Sequence, residues 1–323
     1  MQTFDAAATR RALPFERLIA VLRGMFQAEC EVPRRHVHEI AAPDGGVLTT
    51  SLLMPAWLPG RYYGVKTVNI APGNAARGLP GLHATYLLYD ANTGVPLALI
   101  DGNEITARRT AAASALAASW LARPAARRLL VVGAGRVAQL MPSAFCAVLP
   151  IEHVGVWSRS PAKAAALAAE WRDCGLDAQA ATDLAQAVAQ ADIVSCATLA
   201  TAPLVQGRWL APGSHLDLVG SFTPQMREAD DDCFAGASLY VDTEEALQKS
   251  GELLGPLSRG VFTREEVRGS LAGLCRGEVR GRTSSDERTV FKSVGSALED
   301  LAAAILVYES ATRVNGAGGR TGT

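Results

Sequence analysis

The run Leu129-Leu130-Val131-Val132-Gly133-Ala134-Gly135-Arg136-Val137-Ala138 constrains the fold more than any other stretch of the chain. Its aliphatic residues read as a buried strand, the two glycines as a tight turn, and the residues after Gly135 as a helix. In this GxGxxA arrangement the first glycine makes the turn, the second lets backbone approach a pyrophosphate, and the small third residue lets helix pack on strand. The helix N-terminus would present free N–H groups to the phosphates. A second strand comes after about two dozen residues, the spacing of a βαβ unit; it is Val154-Gly155-Val156-Trp157, and it ends at Ser158-Arg159-Ser160. A carboxylate here would hold a ribose 2′-hydroxyl, whereas a guanidinium between two hydroxyls suits a 2′-phosphate. The pattern therefore predicts NADPH (NADP) as the preferred cofactor, with NAD as the alternative. Lys163, one helical turn on, is within reach of that phosphate, although a solvated helix lysine is the preferred reading. A glycine turn in another kind of α/β domain is the competing explanation, and the flanking strand, helix and second strand disfavour it.

At 323 residues the chain has room for two domains, each with its own core. Its hydrophobic share of 49% and charged share of 20% fit an ordinary globular protein. A net charge of −1 gives no electrostatic reason to expect nucleic acid or an anionic membrane as partner. The longest apolar runs are much shorter than a bilayer span, and the first residues include Asp5, Arg10, Arg11 and Glu16 rather than a secretory pattern. Six cysteines are scattered without a CxxC pair, which argues against a zinc site or a disulfide framework and for a reducing cytoplasm. The histidines show no metal-ligand spacing, so no metal is expected; His36 and His38 read as surface residues on one strand face.

Periodicity predicts a helix over residues 15–28, then strands Val47–Met54, Tyr62–Asn69, Ala84–Asp90 and Pro96–Asp101, with Gly/Asn/Pro turns between them. An Ala-rich helix comes next over Thr106–Leu121, and Pro124 marks a boundary. From residue 128 the rhythm becomes strand, helix, strand. The strands are Leu129–Gly133, His153–Ser158, Ile193–Ala197 and His215–Val219, and the helices are Arg136–Ala147, Ala162–Cys174 and Leu184–Gln190. That alternation means right-handed βαβ units and a parallel sheet. Ser238–Asp242 reads as a strand, Glu244–Ser250 as a helix, Thr289–Ser293 as strand-like, and Gly295–Ser310 as a long helix apolar at Leu298, Leu301, Ala302, Ile305 and Leu306. The expected class is α/β: a Rossmann-type NAD(P)-binding domain over 122–295, and a second, α+β substrate domain over 1–121 joined by the C-terminal helix at 296–313. The Gly-rich residues 314–323 read as a disordered tail. Substrate is expected in the cleft between the two domains.

Five stretches in one order resemble the ornithine cyclodeaminase/mu-crystallin family: Gly64–Asn69, Thr93–Ala98, Thr106–Ala112, the Gly133–Ala138 turn and Val290–Gly295. The likeness runs from residue 30 to residue 310 and is far more specific than the glycine turn alone. Known members include ornithine cyclodeaminases, an archaeal-type alanine dehydrogenase and reductases of cyclic ketimines. All act at the α-carbon of a small amino or imino acid with a nicotinamide cofactor. The resemblance implies a homodimer built through the non-nucleotide domain, and three cations on the substrate carboxylate: Arg35, Lys66 and Arg109, the last two being the catalytic candidates. The residue chemistry agrees in type, since a guanidinium offers a planar fork to a carboxylate and a buried ammonium adds a point charge. Lys66 lies in an otherwise apolar strand, where an unpaired lysine would be costly. The competing reading pairs Lys66 and Arg109 with acids such as Asp101 or Glu104. Arg34 remains an alternative to Arg35, because alternate strand residues face opposite sides. On the cofactor side the resemblance points to Thr110, Gly133, Gly135, Arg136, Val137, Ser158, Arg159, Ser160, Thr198, Val219 and Ser293.

One departure bears on the chemistry. Where the cyclodeaminases carry a catalytic aspartate in a Val-Gly-Gly/Ala-Asp-x-Pro motif, this chain reads Val219-Gly220-Ser221-Phe222-Thr223-Pro224. Phe222 cannot transfer a proton, and ring closure of ornithine needs a base. Asp217, Glu228 and Asp230 are candidate substitutes, with helix N-terminal charge the preferred reading of the last two. Reduction of a cyclic ketimine needs only a positioned hydride donor and a carboxylate clamp, and Phe222 would pack on the flat substrate ring. The expected function is thus an NADPH-dependent reductase of a cyclic imino acid. Ornithine cyclodeaminase, a mu-crystallin-type NADPH-dependent binder and an alanine-dehydrogenase-like enzyme stand as alternatives.

Overall fold

A computed structural model describes residues 1–43 and 45–317. The chain forms two compact units, Met1–Arg109 with Ser296–Thr323, and Thr110–Gly295. The division falls inside one continuous helix, Gly102–Leu121, whereas Pro124 suggests a boundary after residue 121. The helix interior explains the difference. Arg109 is tied to Glu299 and Asp300 of the first unit, while the carbonyls of Trp120 and Leu121 accept hydrogen bonds from Arg282 of the second.

The first unit is built on a six-stranded sheet: β1 (Gln2–Phe4), β2 (His36–Ala41), β3 (Val47–Leu58), β4 (Tyr62–Ile70), β5 (Leu82–Asp90) and β6 (Pro96–Asp101), in the order β1-β6-β5-β4-β3-β2. β1 runs parallel to β6, and the other pairs are antiparallel. Alternation sorts the side chains by face. Met54, Ala56, Gly64, Lys66, Val68, Tyr86, Leu88 and Ile100 turn to a buried face, while Pro55, Trp57, Tyr63, Val65, Leu87 and Tyr89 stay half-buried on the other. The C-terminal helix Ala297–Ala317 packs on β3, β4 and β5 and against the helix Phe15–Gln27. It is buried around its circumference at Leu301, Ala302, Ala303, Ala304 and Val307, so any acid on it needs a partner. Its backbone continues past Ser310, taking in residues 314–317 of the expected tail; residues 318–323 lie outside the described residues.

The second unit is an eight-stranded parallel sheet. Its strands are β7 (Arg128–Val132), β8 (His153–Trp157), β9 (Asp177–Ala180), β10 (Ile193–Cys196), β11 (His215–Leu218), β12 (Ser238–Val241), β13 (Val267–Ser270) and β14 (Thr289–Lys292), in the order β13-β12-β14-β11-β10-β7-β8-β9. The interior strands β10, β11, β12 and β14 are buried along their whole length, as a sheet covered on both faces requires. The chain leaves β7 towards β8 and β9 and then returns to β10 on the other side. The topological switch point, where such sheets bind ligands, therefore lies at the C-terminal ends of β7 and β10. The edge strands β9 and β13 and the three-residue β1 escape the sequence pattern, because short edge strands need not alternate. The expected helix Arg136–Ala147 is instead a 3-10 turn, Ala138–Leu140, and then an α-helix, Met141–Cys146. Pro142 is the reason: lacking an N–H, it is tolerated only in the first turn, so the α-helix has to start beside it. Among the described residues, no helix is long and apolar enough to cross a membrane.

Gly64 illustrates how tightly the buried face of the first sheet is packed. A Cβ there would lie 2.2 Å from the Tyr86 hydroxyl oxygen and 2.6 Å from its ring, and Tyr86 is itself buried. Gly64→Ala is therefore expected to destabilise the protein by about 1–3 kcal/mol through overpacking. The Tyr86 hydroxyl has no hydrogen-bond partner among the described residues. Tyr86→Phe is accordingly expected to cost less than about 1 kcal/mol. Denaturant titrations of the two variants check both values.

Candidate active site

Lys66 stands on the buried face of β4, between Met54 of β3 and Tyr86 of β5 in the ladder. Arg109 projects from the helix Gly102–Leu121. Both converge on two adjacent acids of the C-terminal helix. Lys66 Nζ is 2.6 Å from Asp300 Oδ2 and donates to Thr106 Oγ1 at 3.3 Å. Arg109 donates from Nε to Asp300 Oδ1 at 2.9 Å and from Nη1 to Glu299 Oε2 at 2.6 Å. All four charged side chains are buried. Neither Asp101 nor Glu104 supplies this pairing: Glu104 bonds Arg10 at 2.8 Å, and Asp101 accepts from the Glu104 N–H at 2.7 Å. Sequence reasoning missed Glu299 and Asp300, although two acids in a helix that is apolar all round were a signal that buried cations lay opposite.

The charges set one another. Burial pulls Lys66 down to about 8, against the opposing pull of Asp300. Burial also works against charge on Arg109, but Asp300 and Glu299 outweigh it and raise its pKa. Asp300 is pushed up by burial and brought below the usual carboxylate range by Lys66 and Arg109. Arg109 keeps Nη2 uncommitted among the described residues, so the cluster holds its cations in place and still has a donor to offer.

Arg35 immediately precedes β2. The ladder pairs His36 with Leu53, and Met54, next along β3, is opposite Lys66. The ladder stops at His36, and the isolated bridge Glu31–Trp57 is one residue out of step with it, so the strand register assigns neither Arg34 nor Arg35 to the row of Lys66. Arg35 is half-buried and Arg34 exposed.

In the second unit the glycine turn closes as its sequence requires. Gly133 has φ +126°, and a Cβ there would lie 2.6 Å from the Ala197 carbonyl oxygen across the switch point. A Cβ on Gly135 would meet nothing within 4 Å, which leaves the backbone open to a phosphate group. Arg136 is exposed and Val137 half-buried beside it. At the end of β8 the Ser160 N–H donates to Ser158 Oγ at 3.2 Å. Arg159 is exposed and makes no hydrogen bond or ion pair among the described residues. Lys163 is exposed on the next helix. These groups fit a dinucleotide. Thr198, Val219 and Ser293 come just after β10, β11 and β14, so all three lie on the C-terminal lip of the sheet. Thr110, half-buried, is the first residue of this unit.

Phe222 is 42% exposed and Leu199 is 71% exposed. Among the described residues, they are the exposed large hydrophobic side chains of this unit, and both stand just past the ends of β11 and β10. Glu228 is not a helix N-terminal charge. It is fully buried, and its carboxylate accepts from the Thr198 N–H at 2.6 Å, Thr198 Oγ1 at 2.8 Å and the Gly220 N–H at 2.7 Å. Asp217 is fully buried and accepts from Ser195 Oγ at 2.6 Å; burial raises it to about 7. Asp230 accepts from the Gly207 N–H at 2.8 Å. Each acid that the sequence offered in place of the missing aspartate thus has a structural commitment.

An all-parallel sheet with a GxGxxA turn at its switch point defines a Rossmann-type nucleotide-binding unit, here in one chain with a mixed sheet that buries two cations. The sequence profile of the ornithine cyclodeaminase/mu-crystallin family matches residues 26–315, and the chain belongs to that family. The Δ1-pyrroline-2-carboxylate reductase of Paracoccus denitrificans is 44% identical over 274 residues, covering 84% of this chain and 85% of that protein. The structure of Thermococcus litoralis Δ1-pyrroline-2-carboxylate reductase in complex with NADH and L-proline matches with a TM-score of 0.90 at 32% identity, covering 98% of each chain. An archaeal alanine dehydrogenase dimer with bound NAD matches with a TM-score of 0.90 at 28% identity, covering 98% of this chain and 97% of that one.

Asp300 neutralises two buried cations at once. Asp300→Asn is expected to destabilise the protein by about 3–5 kcal/mol, the cost of leaving a buried charge without its partner. Thermal and denaturant unfolding check this, and a near-neutral result would mean that the cluster is hydrated.

Proposed function

We propose that this protein is an NADPH-dependent reductase of cyclic imino acids, turning Δ1-pyrroline-2-carboxylate into L-proline and Δ1-piperideine-2-carboxylate into L-pipecolate. The observation that carries the reading is Phe222: an apolar, exposed side chain stands where the cyclodeaminases have their aspartate, and Asp217, Glu228 and Asp230 are committed elsewhere. Names of relatives support it, since proteins at 44% and 32% identity are Δ1-pyrroline-2-carboxylate reductases. Lys66 and Arg109 hold the substrate carboxylate, with Arg35 as the third cation, and Glu299 and Asp300 keep the first two fixed and charged. A rigid, prepositioned clamp removes orientational freedom before reaction. Phe222 and Leu199 give a flat ring an apolar wall. A bound nicotinamide supplies the hydride that the C=N carbon accepts. The imine nitrogen arrives protonated or takes its proton from water, so no base is required.

The preference for NADPH rests on Arg159, uncommitted between Ser158 and Ser160; solved neighbours hold NADH or NAD. A homodimer through the first unit fits the half-buried row Trp57, Tyr63 and Tyr89, in which Tyr63 and Tyr89 stack at 5.3 Å, and the exposed Val37, Ile40, Val47 and Leu48. The archaeal neighbour is a dimer, which supports a dimer here without saying which surface forms it. Six free thiols suit the cytoplasm.

The reductase is expected to oxidise NADPH with Δ1-pyrroline-2-carboxylate and to release no ammonia from L-ornithine with NAD. Ammonia release would make it a cyclodeaminase, and NADPH binding without turnover of either substrate would make it a binder. Lys66→Ala and Arg109→Ala should abolish turnover while NADPH binding persists. Arg159→Asp should weaken NADPH binding by about 10- to 100-fold, the worth of one or two charge-assisted hydrogen bonds.

The pH dependence comes from Lys66. Its pKa is lowered to about 8, so the free enzyme loses this cation as pH rises past that value. A substrate carboxylate then meets a neutral amine, and kcat/KM is expected to fall on an alkaline limb near pH 8. Lys66→Arg should move that limb to higher pH. A wild-type profile that is flat to about pH 10, the ordinary range of lysine, would show that Lys66 does not bind the carboxylate.

A further inference from the structure

The cofactor lip of the second unit rests on a buried carboxylate whose two oxygens are divided between two strand ends. The parallel ladder of β10 and β11 closes with the Val219 N–H donating to the Cys196 carbonyl at 2.9 Å. Beyond that bond the ladder gives way, and the N–H groups of Thr198 and Gly220 donate to a side chain instead. Glu228 takes both. Oε1 accepts from Thr198 N and Oγ1, and Oε2 accepts from Gly220 N at 2.7 Å. Gly220 is glycine for the same reason: a Cβ would lie 1.9 Å from the Thr198 carbonyl oxygen and 2.5 Å from Glu228 Oε1.

Glu228 is itself fixed. Its N–H donates to Glu252 Oε2 at 2.7 Å, and its carbonyl accepts from Leu204 and Val205 at 2.8 and 3.0 Å. Lys292, fully buried, donates to the Leu218 carbonyl at 2.9 Å, and its positive charge favours the ionised forms of Glu228, Glu252, Asp242 and Asp217. Asp242 repeats the device at a neighbouring strand end. Its Oδ2 accepts from the Val294 and Gly295 N–H groups at 2.7 and 2.6 Å, directly after Ser293. An apolar core would fill this space at lower electrostatic cost. What a carboxylate adds is a fixed separation between two backbone segments.

We propose that Glu228 is a positioning residue, which sets the spacing of Thr198 and Gly220 so that the nicotinamide half of the cofactor seats in reactive orientation. The proposal rests on the reading of this lip as a nicotinamide site. It assigns Glu228 no contact with substrate and no proton transfer.

Glu228→Gln is a sharp test, because the carboxamide offers one acceptor oxygen and sets an NH2 group against the second backbone N–H. Three quantities are measured on the full chain: the Kd of NADPH by fluorescence, the inhibition constant of 2′,5′-ADP, which carries only the adenosine half, and kcat with Δ1-pyrroline-2-carboxylate. The proposal expects 2′,5′-ADP affinity within about twofold of wild type and kcat lower by about tenfold or more, the scale of one lost buried hydrogen bond. The emission of bound NADPH should shift as the nicotinamide loses its fixed seat. Equal loss of NADPH and 2′,5′-ADP would mean a merely structural role and would overturn the proposal, as would wild-type kcat. If Glu228→Gln fails to fold, Glu228→Asp carries the same test, since it keeps a carboxylate and is too short to bridge both strand ends. A wild-type protein that binds neither NADPH nor NADH would instead overturn the cofactor reading itself, and the proposal with it.

Discussion

Two cations stay charged inside the first unit because two adjacent carboxylates of one apolar helix meet them. Lys66 and Arg109 come from a strand and a helix far apart in sequence, and Glu299 and Asp300 join them from the last helix of the chain. Desolvation alone would drive the lysine towards neutrality, and it does lower Lys66 to about 8. The acids arrest that fall and fix both side chains. The C-terminal helix is thereby more than a cover for the sheet: removing it would strand two buried positive charges, so the closing segment of the chain is tied to the first unit by electrostatics as well as by packing.

The second unit uses buried charge differently. The charge of Lys292 acts on Glu228, Glu252, Asp242 and Asp217, and three of these acids accept backbone N–H groups where strands end or loops turn. The parallel sheet satisfies its own backbone along the strands. At the C-terminal edge, where a ligand crevice must open, that ladder stops and side chains take over. A lip built this way is rigid without being filled, and the large hydrophobic groups left exposed on it are Leu199 and Phe222.

Together these arrangements separate binding from proton chemistry. The first unit buries two cations among acids, and the second has an open glycine turn, an arginine without a partner among the described residues and two exposed apolar side chains. With Asp217, Glu228 and Asp230 engaged in structure, the second unit suits hydride addition to a C=N bond that arrives already activated, more than a reaction that must move protons between amine and leaving group.

Much of this was legible in the chain itself. The Gly133–Ala138 turn, the strand–helix rhythm after residue 128 and the alternating strands from Val47 to Asp101 all appear where local pattern places them, because turn geometry and side-chain period are properties of adjacent residues. Phe222 was readable too, as a substitution within a short motif. What sequence could not supply were relations between distant segments. The partners of Lys66 and Arg109 turned out to be Glu299 and Asp300, not Asp101 or Glu104. Glu228 read as a helix-end charge and is a buried bridge between two strand ends. Even the helix after the glycine turn was shortened by Pro142. Local geometry is written in neighbouring residues, but a buried charge is defined by whichever group the fold brings within hydrogen-bond distance of it, and only the tertiary structure decides that.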